Sequence, residues 1–259
     1  MTLDEHLINP LGRANAVMST ALREATKLQY SQKFDNILLR ENGKIQYYTY
    51  RDRKNNIYWI HVKVPSEAVN KFYYDVVFKF YQDSKVKVTH YDLKKWQVNF
   101  FSNDPAFVYT YEHTYKDKGL FIKELIPKAS KTALKYKAKE KNPTDLVYYS
   151  KILYFGILFC QQREILSTTR LLEAPEYNNK DLLANIQDTD KVIEKRQEEE
   201  KKISHKKKIE IDAGTAKKLK QYGVLDNENA AHRFVMKANK VPTVRKTKAV
   251  NKVKNIKKK

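Results

Sequence analysis

The chain has 259 residues, of which 41% are hydrophobic and 31% charged, and a formal net charge of +21. This length allows one or two domains with a sizeable core. The single cysteine, Cys160, excludes an intrachain disulfide and most structural zinc sites, and its apolar surroundings predict a buried, inert thiol. The longest apolar run, 152–160, is far shorter than a membrane span of roughly 20 residues. Met1–Glu5 is acidic, so we expect no secretory signal and a soluble protein of a reducing compartment.

The positive charge is concentrated near the C-terminus. Residues 201–259 contain 19 Lys/Arg and four Asp/Glu, a net of +15, which leaves +6 for the first 200 residues. Any partner that this charge implies therefore belongs to the C-terminal part. Nucleic acid, an anionic membrane and an acidic protein surface are the candidates.

Residues 1–30 are predicted to form an N-terminal helix. Pro10 suits a first turn, and the apolar residues that follow have a period of 3.6. The helix packs either on its own domain or on a neighbouring subunit. The candidate interface residues of the second alternative are Leu11, Val17, Met18 and Leu22.

Residues 31–126 are predicted to form an antiparallel β domain. Ile37–Leu39 leads into Asn42-Gly43, a strong hairpin signal, and a meander of three strands over 34–64 follows from it. Further predicted strands are 71–81, 86–91, 98–101 and 107–112, the last from an alternation of apolar and polar residues. Six to eight strands favour a small barrel or sandwich. The 18 tyrosines of the chain are concentrated here, which suits contacts with proteins or stacking on bases.

Residues 127–175 are predicted to be a helical segment that packs on the β domain. A helix over 146–166, with Thr144 as its cap, is apolar almost all round, so we expect it to be buried on several sides. It either forms the spine of the domain or lies in an oligomer interface. Phe155 and Phe159 are the interface candidates of the second alternative.

The C-terminal part is predicted to be a charged helix over 176–212, followed by a basic tail with short helices over 213–259. Residues 241–259 have eight Lys/Arg and no acid, and we expect them to be disordered alone. The predicted fold class is therefore α+β: an N-terminal helix, an antiparallel barrel or sandwich, a buried helix and an extended basic tail, helical or disordered.

No catalytic, metal-binding or cofactor-binding motif is present in the sequence. The six glycines are too far apart for a phosphate-binding loop, and the six histidines lack metal-ligand spacing. We therefore predict a non-enzyme without cofactor or metal. The carboxylates of Asp104 and Glu112, or those of Asp75 and Asp92, can be drawn as a pair, but nothing in the sequence fixes their separation.

The basic tail is the candidate binding site. Its charges alternate with Val and Asn rather than with aromatic residues, and Lys outnumbers Arg, which favours sequence-independent neutralisation of phosphates. The predicted contact residues are Lys206, Lys207, Lys208, Arg245, Lys246, Lys248, Lys252, Lys254, Lys257, Lys258 and Lys259. A solubilising disordered end and a eukaryotic localisation signal are the alternatives.

The run Asn99–Tyr111, NFFSNDPAFVYTY, followed by Lys118–Ile122 and continuing to Lys135, resembles virion structural proteins of tailed bacteriophages from low-GC Gram-positive hosts. The Lys/Asn/Tyr/Ile-rich composition is similar to that of proteins from such genomes. The resemblance implies a neck or connector protein, a tail component or an internal head protein, located in the virion after assembly in the host cytoplasm.

Two function hypotheses follow. In the first, the protein is a virion assembly component, a homo-oligomeric ring with other virion proteins as neighbours, whose basic tail contacts packaged DNA or adjacent subunits. In the second, it is a free nucleic-acid-binding protein with an OB-like barrel and a lysine-rich anchor.

Overall fold

A computed structural model describes residues 1–8, 20–82, 91–135 and 150–203. The chain divides into two compact units, Met1–Glu199 and Glu200–Lys259, and the described residues belong almost entirely to the first. The helices are α1 (Leu3–Ile8), α2 (Thr20–Arg40), α3 (Pro105–Thr110), α4 (Glu112–Asp117), α5 (Lys131–Lys135), α6 (Lys151–Gln162), α7 (Asn179–Asn185) and α8 (189–203). The strands are β1 (Tyr47–Asp52), β2 (Ile57–Pro65), β3 (Tyr73–Tyr81) and β4 (Gln97–Ser102).

The four strands form one antiparallel meander in the order β1-β2-β3-β4. Ile60 lies opposite Phe78, and Phe78 opposite Phe100, so these three side chains share one face of the sheet. All three are buried, since β2 and β3 have helices or loops on both faces. The prediction of an α+β protein with an antiparallel sheet is confirmed.

The predicted barrel or sandwich of six to eight strands is wrong for the described residues, which contain this single open sheet. Its outer edges do not meet each other. The edge of β1 is bridged by Glu176, and the edge of β4 by Thr2 and Phe121. Of the predicted strands, 86–90 lie outside the described residues.

The predicted strand at 37–39 is also wrong, because α2 continues to Arg40. Phe34 and Ile37 are buried one helical turn apart. Asn42 and Gly43 have φ angles of 52° and 68°, and the Gly43 N–H donates to the Leu38 carbonyl at 2.7 Å. Asn-Gly therefore ends a helix in a left-handed cap instead of turning a hairpin.

The predicted strand at 107–112 is helical, in α3 and α4. Pro105 occupies the first helical turn, and the Asp104 carboxylate accepts a hydrogen bond from the Phe107 N–H at 3.1 Å. Phe107, Tyr111 and Tyr115 then lie four residues apart and form edge-to-face ring contacts. The helical period of these rings prevails over the apparent period of two.

The predicted buried helix corresponds to α6, which begins after Ser150; Thr144 lies outside the described residues. The helix packs on β2, β3 and α2. Phe155 is fully buried and its ring lies 5.4 Å from that of Phe34, while Phe159 is 1% exposed and contacts Tyr47. Both side chains thus lie inside their own chain, in agreement with the intrachain alternative and not with a subunit interface.

The contact of α6 with the sheet depends on Gly156. A Cβ atom at this position would lie 2.8 Å from Val76 Cγ1 and 3.2 Å from Phe78 Cζ. Both neighbours are buried, so neither can withdraw easily.

Gly156→Ala is expected to destabilise the protein by about 1–3 kcal/mol although alanine favours helices, because the added methyl group overpacks this contact. Chemical denaturation measures the change. Combining the substitution with Val76→Ala should recover part of the loss, since the nearest methyl group is removed. An increase in stability from Gly156→Ala alone would contradict the described packing.

Candidate functional site

Every predicted polyanion-contact residue, from Lys206 to Lys259, lies outside the described residues. The same holds for Leu11, Val17 and Met18 of the predicted subunit interface. Leu22 lies in α2. The described part of the chain shows which other polar groups converge, and what they are able to do.

A buried polar cluster surrounds Asp75 in the middle of the sheet. The Asp75 carboxylate accepts hydrogen bonds from His61 Nε2 at 2.8 Å, Asn103 Nδ2 at 2.9 Å and the Gln187 N–H at 2.9 Å. Lys63 Nζ lies 3.9 Å away. Burial acts to raise the pKa of Asp75, but the hydrogen bond and charge of His61, the Gln187 N–H and Lys63 outweigh it, so the pKa is lowered. The carboxylate therefore remains charged and fully bonded.

An Asp–His pair is able to transfer protons, but here both side chains are completely buried. The His61 ring stacks on Tyr48, and its Nδ1 has no hydrogen-bond partner among the described residues. No described Ser, Cys or Thr hydrogen-bonds to this imidazole. These contacts indicate a structural role for the cluster. Asp75 binds the Gln187 N–H and so holds the segment after α7 against the sheet.

The aromatic side chains on the same face are covered as well. The Trp59 and Tyr177 rings are stacked with centroids 4.6 Å apart and an interplanar angle of 3°. Lys79 Nζ lies 5.0 Å from the centroid of the Trp59 ring and pairs with Glu124. Trp59 is only 1% exposed, so the sheet offers no free ring at this point for stacking on a base.

A second polar cluster joins three elements at Asp104. Its carboxylate accepts hydrogen bonds from the hydroxyl groups of Ser102 and Ser150, both at 2.8 Å, and from the Phe107 N–H. Ser150 in turn accepts from the Leu153 N–H and caps α6. Asp104 and Glu112, a carboxylate pair considered from the sequence, share no partner in the structure.

Glu112 is a buried carboxyl group without a hydrogen bond of good geometry among the described residues. Burial raises its pKa to about 8; the Ser130 backbone N–H acts in the opposite direction, and the negative charge of Asp190 in the same direction. Nearby, Val108 of α3, Ala133 of α5 and Ile193 of α8 form a small apolar cluster. The protonated form of Glu112 is therefore favoured at neutral pH.

An open cleft of about 380 Å³ lies where Tyr91–Lys94 meets the end of α6. Its lining residues are Tyr91, Asp92, Lys94, Cys160, Gln161, Glu164, Leu166 and Ser167. Cys160 is buried, as predicted, and burial raises the pKa of its thiol, which disfavours the reactive thiolate. Among the described residues, no three His, Cys, Asp or Glu side chains are grouped so that they could hold a metal ion.

In the described ranges no helix combines the length and the apolar character needed to cross a membrane. Comparison of the chain with protein-family models, curated proteins and solved structures found no match.

Sequence reasoning missed the Asp75 cluster and the role of Glu112. Asp75 and Gln187 are 112 residues apart, and only the covering of the sheet by the segment after α7 brings them together. The role of Asp104 as a helix cap was predictable from the sequence, because Asp-Pro before an apolar run is typical of a helix start.

Glu112→Gln is expected to change how stability depends on pH. The folded-state pKa of Glu112, about 8, exceeds its unfolded value of about 4.3, so the folded protein loses stability as the pH rises between these values, by up to about 1.4 kcal/mol per pH unit. The variant lacks this loss and should be more stable than the wild type at pH 8. Thermal melts from pH 5 to 8.5 measure the effect.

Glu173→Gln, a change at an exposed carboxyl group, is the control and should parallel the wild type. A stability difference between Glu112→Gln and the wild type that does not vary with pH would contradict the raised pKa.

Proposed function

We propose that this protein is a non-enzymatic structural component of a bacteriophage virion, a neck or head–tail connector protein or a tail assembly part. Its basic C-terminal segment contacts packaged DNA or neighbouring subunits. The protein assembles with other virion proteins in the host cytoplasm and forms a homo-oligomeric ring.

One observation carries this proposal: most of the excess charge lies C-terminal in the sequence to the compact unit Met1–Glu199, here called the body. Residues 201–259 have a net charge of +15, and the compact unit Met1–Glu199 ends just before them. Within that unit the polar side chains of the sheet are bonded to each other, as at Asp75. A structured body that packs with proteins and a lysine-rich segment that neutralises phosphates suit an assembly protein next to DNA. The resemblance of Asn99–Tyr111 to virion proteins supports the same proposal.

The second hypothesis, a free nucleic-acid-binding protein with an OB-like barrel, has less support. It requires a sheet face or groove with accessible aromatic rings. Here Trp59 is covered by Tyr177, and Phe101 is packed against Phe121.

Replacing five C-terminal lysines with glutamine tests the DNA contact in the full chain. The changes are Lys252→Gln, Lys254→Gln, Lys257→Gln, Lys258→Gln and Lys259→Gln. Affinity for duplex DNA should fall about tenfold or more at low salt, and the slope of log K against log salt should become shallower by up to about 4, because fewer counterions are released. Fluorescence anisotropy over a salt series measures both quantities.

The matched control replaces five exposed lysines of the body, at Lys44, Lys54, Lys95, Lys180 and Lys191. It removes the same charge and should have a clearly smaller effect. Equal losses in the two variants would show that only net charge matters and would overturn the assignment to the tail.

The ring is tested at α2, where Leu28 and Leu39 are 61% and 76% exposed. Eleven residues correspond to three helical turns, so the two side chains lie on the same face of the helix. Mass photometry should show a defined oligomer for the wild type and a shift toward monomer for Leu28→Ser/Leu39→Ser. Leu172→Ser, at another exposed leucine, should leave the mass unchanged. A wild-type protein that is monomeric at high concentration would contradict the ring.

A further inference from the structure

The charge of the body itself is unevenly placed. Residues 113–141 contain nine lysines and three acids, a net of +6. The remaining residues among the first 200 contain 23 basic and 23 acidic side chains. The stretch 113–141 therefore accounts for the entire net charge of the first 200 residues. The structure describes this stretch as far as Lys135.

Four of the six described lysines of this stretch lie on or directly beside two packed helices, α4 and α5. Lys116 Nζ donates a hydrogen bond to the Leu134 carbonyl at 3.1 Å, which places it next to Lys135 at the end of α5. Lys131 and Lys135 lie four residues apart on one face of α5, and Lys118 directly follows α4. All four side chains are exposed, and we call them the α4–α5 lysine face.

The acids of α4 and of the segment between α4 and α5 form no ion pair with Lys116, Lys118 or Lys131 in the described ranges. Asp117 lies 3.2 Å from His113 Nδ1, Glu124 pairs with Lys79, and Glu112, the first residue of α4, is buried. Within the described ranges, Lys116, Lys118 and Lys131 form no ion pair.

We propose that the α4–α5 lysine face binds the phosphate backbone of nucleic acid, as a second contact in addition to the basic C-terminal segment. An acidic protein surface fits less well, because lysine is depleted at protein–protein interfaces while protein–DNA interfaces are strongly positive. Lysines without bidentate geometry neutralise phosphates without reading sequence.

The experiment uses four forms of the full chain: the wild type, the variant with the five tail lysines replaced, Lys118→Gln/Lys131→Gln/Lys135→Gln, and the combination of both sets. Lys116 is retained because it holds the end of α5. Affinity for a duplex of about 30 base pairs is measured over a salt series, since counterion release reports the number of phosphate contacts. Circular dichroism establishes that each form is folded.

The triple variant should weaken binding several-fold and reduce the salt slope by up to about 3, both in the wild-type background and in the tail variant. The control Lys44→Gln/Lys54→Gln/Lys180→Gln, made in the wild-type and in the tail-variant background, removes the same charge elsewhere and should have little effect. Equal binding by the triple variant and its control in both backgrounds would overturn the proposal. The tail variant alone tests the proposed function, so failure of one contact is distinguishable from failure of the other.

Discussion

The carboxylate of Asp104 fixes how the helices of this protein meet its sheet. It follows the end of β4, caps the first turn of α3 and accepts a hydrogen bond from Ser150, the cap of α6. Burial raises its pKa, while the hydroxyl groups of Ser150 and Ser102 and the backbone N–H groups favour the charged form. Because α6 starts at this point, Gly156 comes to lie against Val76 and Phe78 of β3. One side chain thus positions the helix that covers one face of the sheet.

The opposite face is closed by a different part of the chain. Asp75 binds the Gln187 N–H, Tyr177 stacks on Trp59, and the backbone around Glu176 pairs with Arg51. These contacts bring residues more than 100 positions apart in the sequence onto the middle of the sheet and its edge. The two central strands, β2 and β3, are therefore covered on both faces by other parts of the same chain.

The sequence predicted β2, β3 and β4 well, because their β-branched and aromatic residues form continuous runs bounded by turns. It failed where a local signal had two meanings. Asn42-Gly43 suits a hairpin and a helix end equally, and the buried Phe34 and Ile37 decide for the helix. The alternation from Phe107 to Glu112 resembled a strand, because residues four positions apart lie on the same face of a strand as well as on the same face of a helix. Partners of Asp75 were not predictable, since they depend on tertiary placement alone.

The charge pattern could be read from the sequence, but its meaning depends on the fold. A stretch of lysines in an extended chain would be one more basic segment, whereas here α4 packs on α5 and Lys116 is bonded to the Leu134 carbonyl, next to Lys135 in the sequence. A preorganised face loses less conformational entropy on binding than an extended segment does. Both proposed contacts consist of lysine point charges, and the rings of the sheet face around Trp59 are covered. Lysine point charges neutralise phosphates without reading base sequence, so the proposal implies binding that is indifferent to sequence.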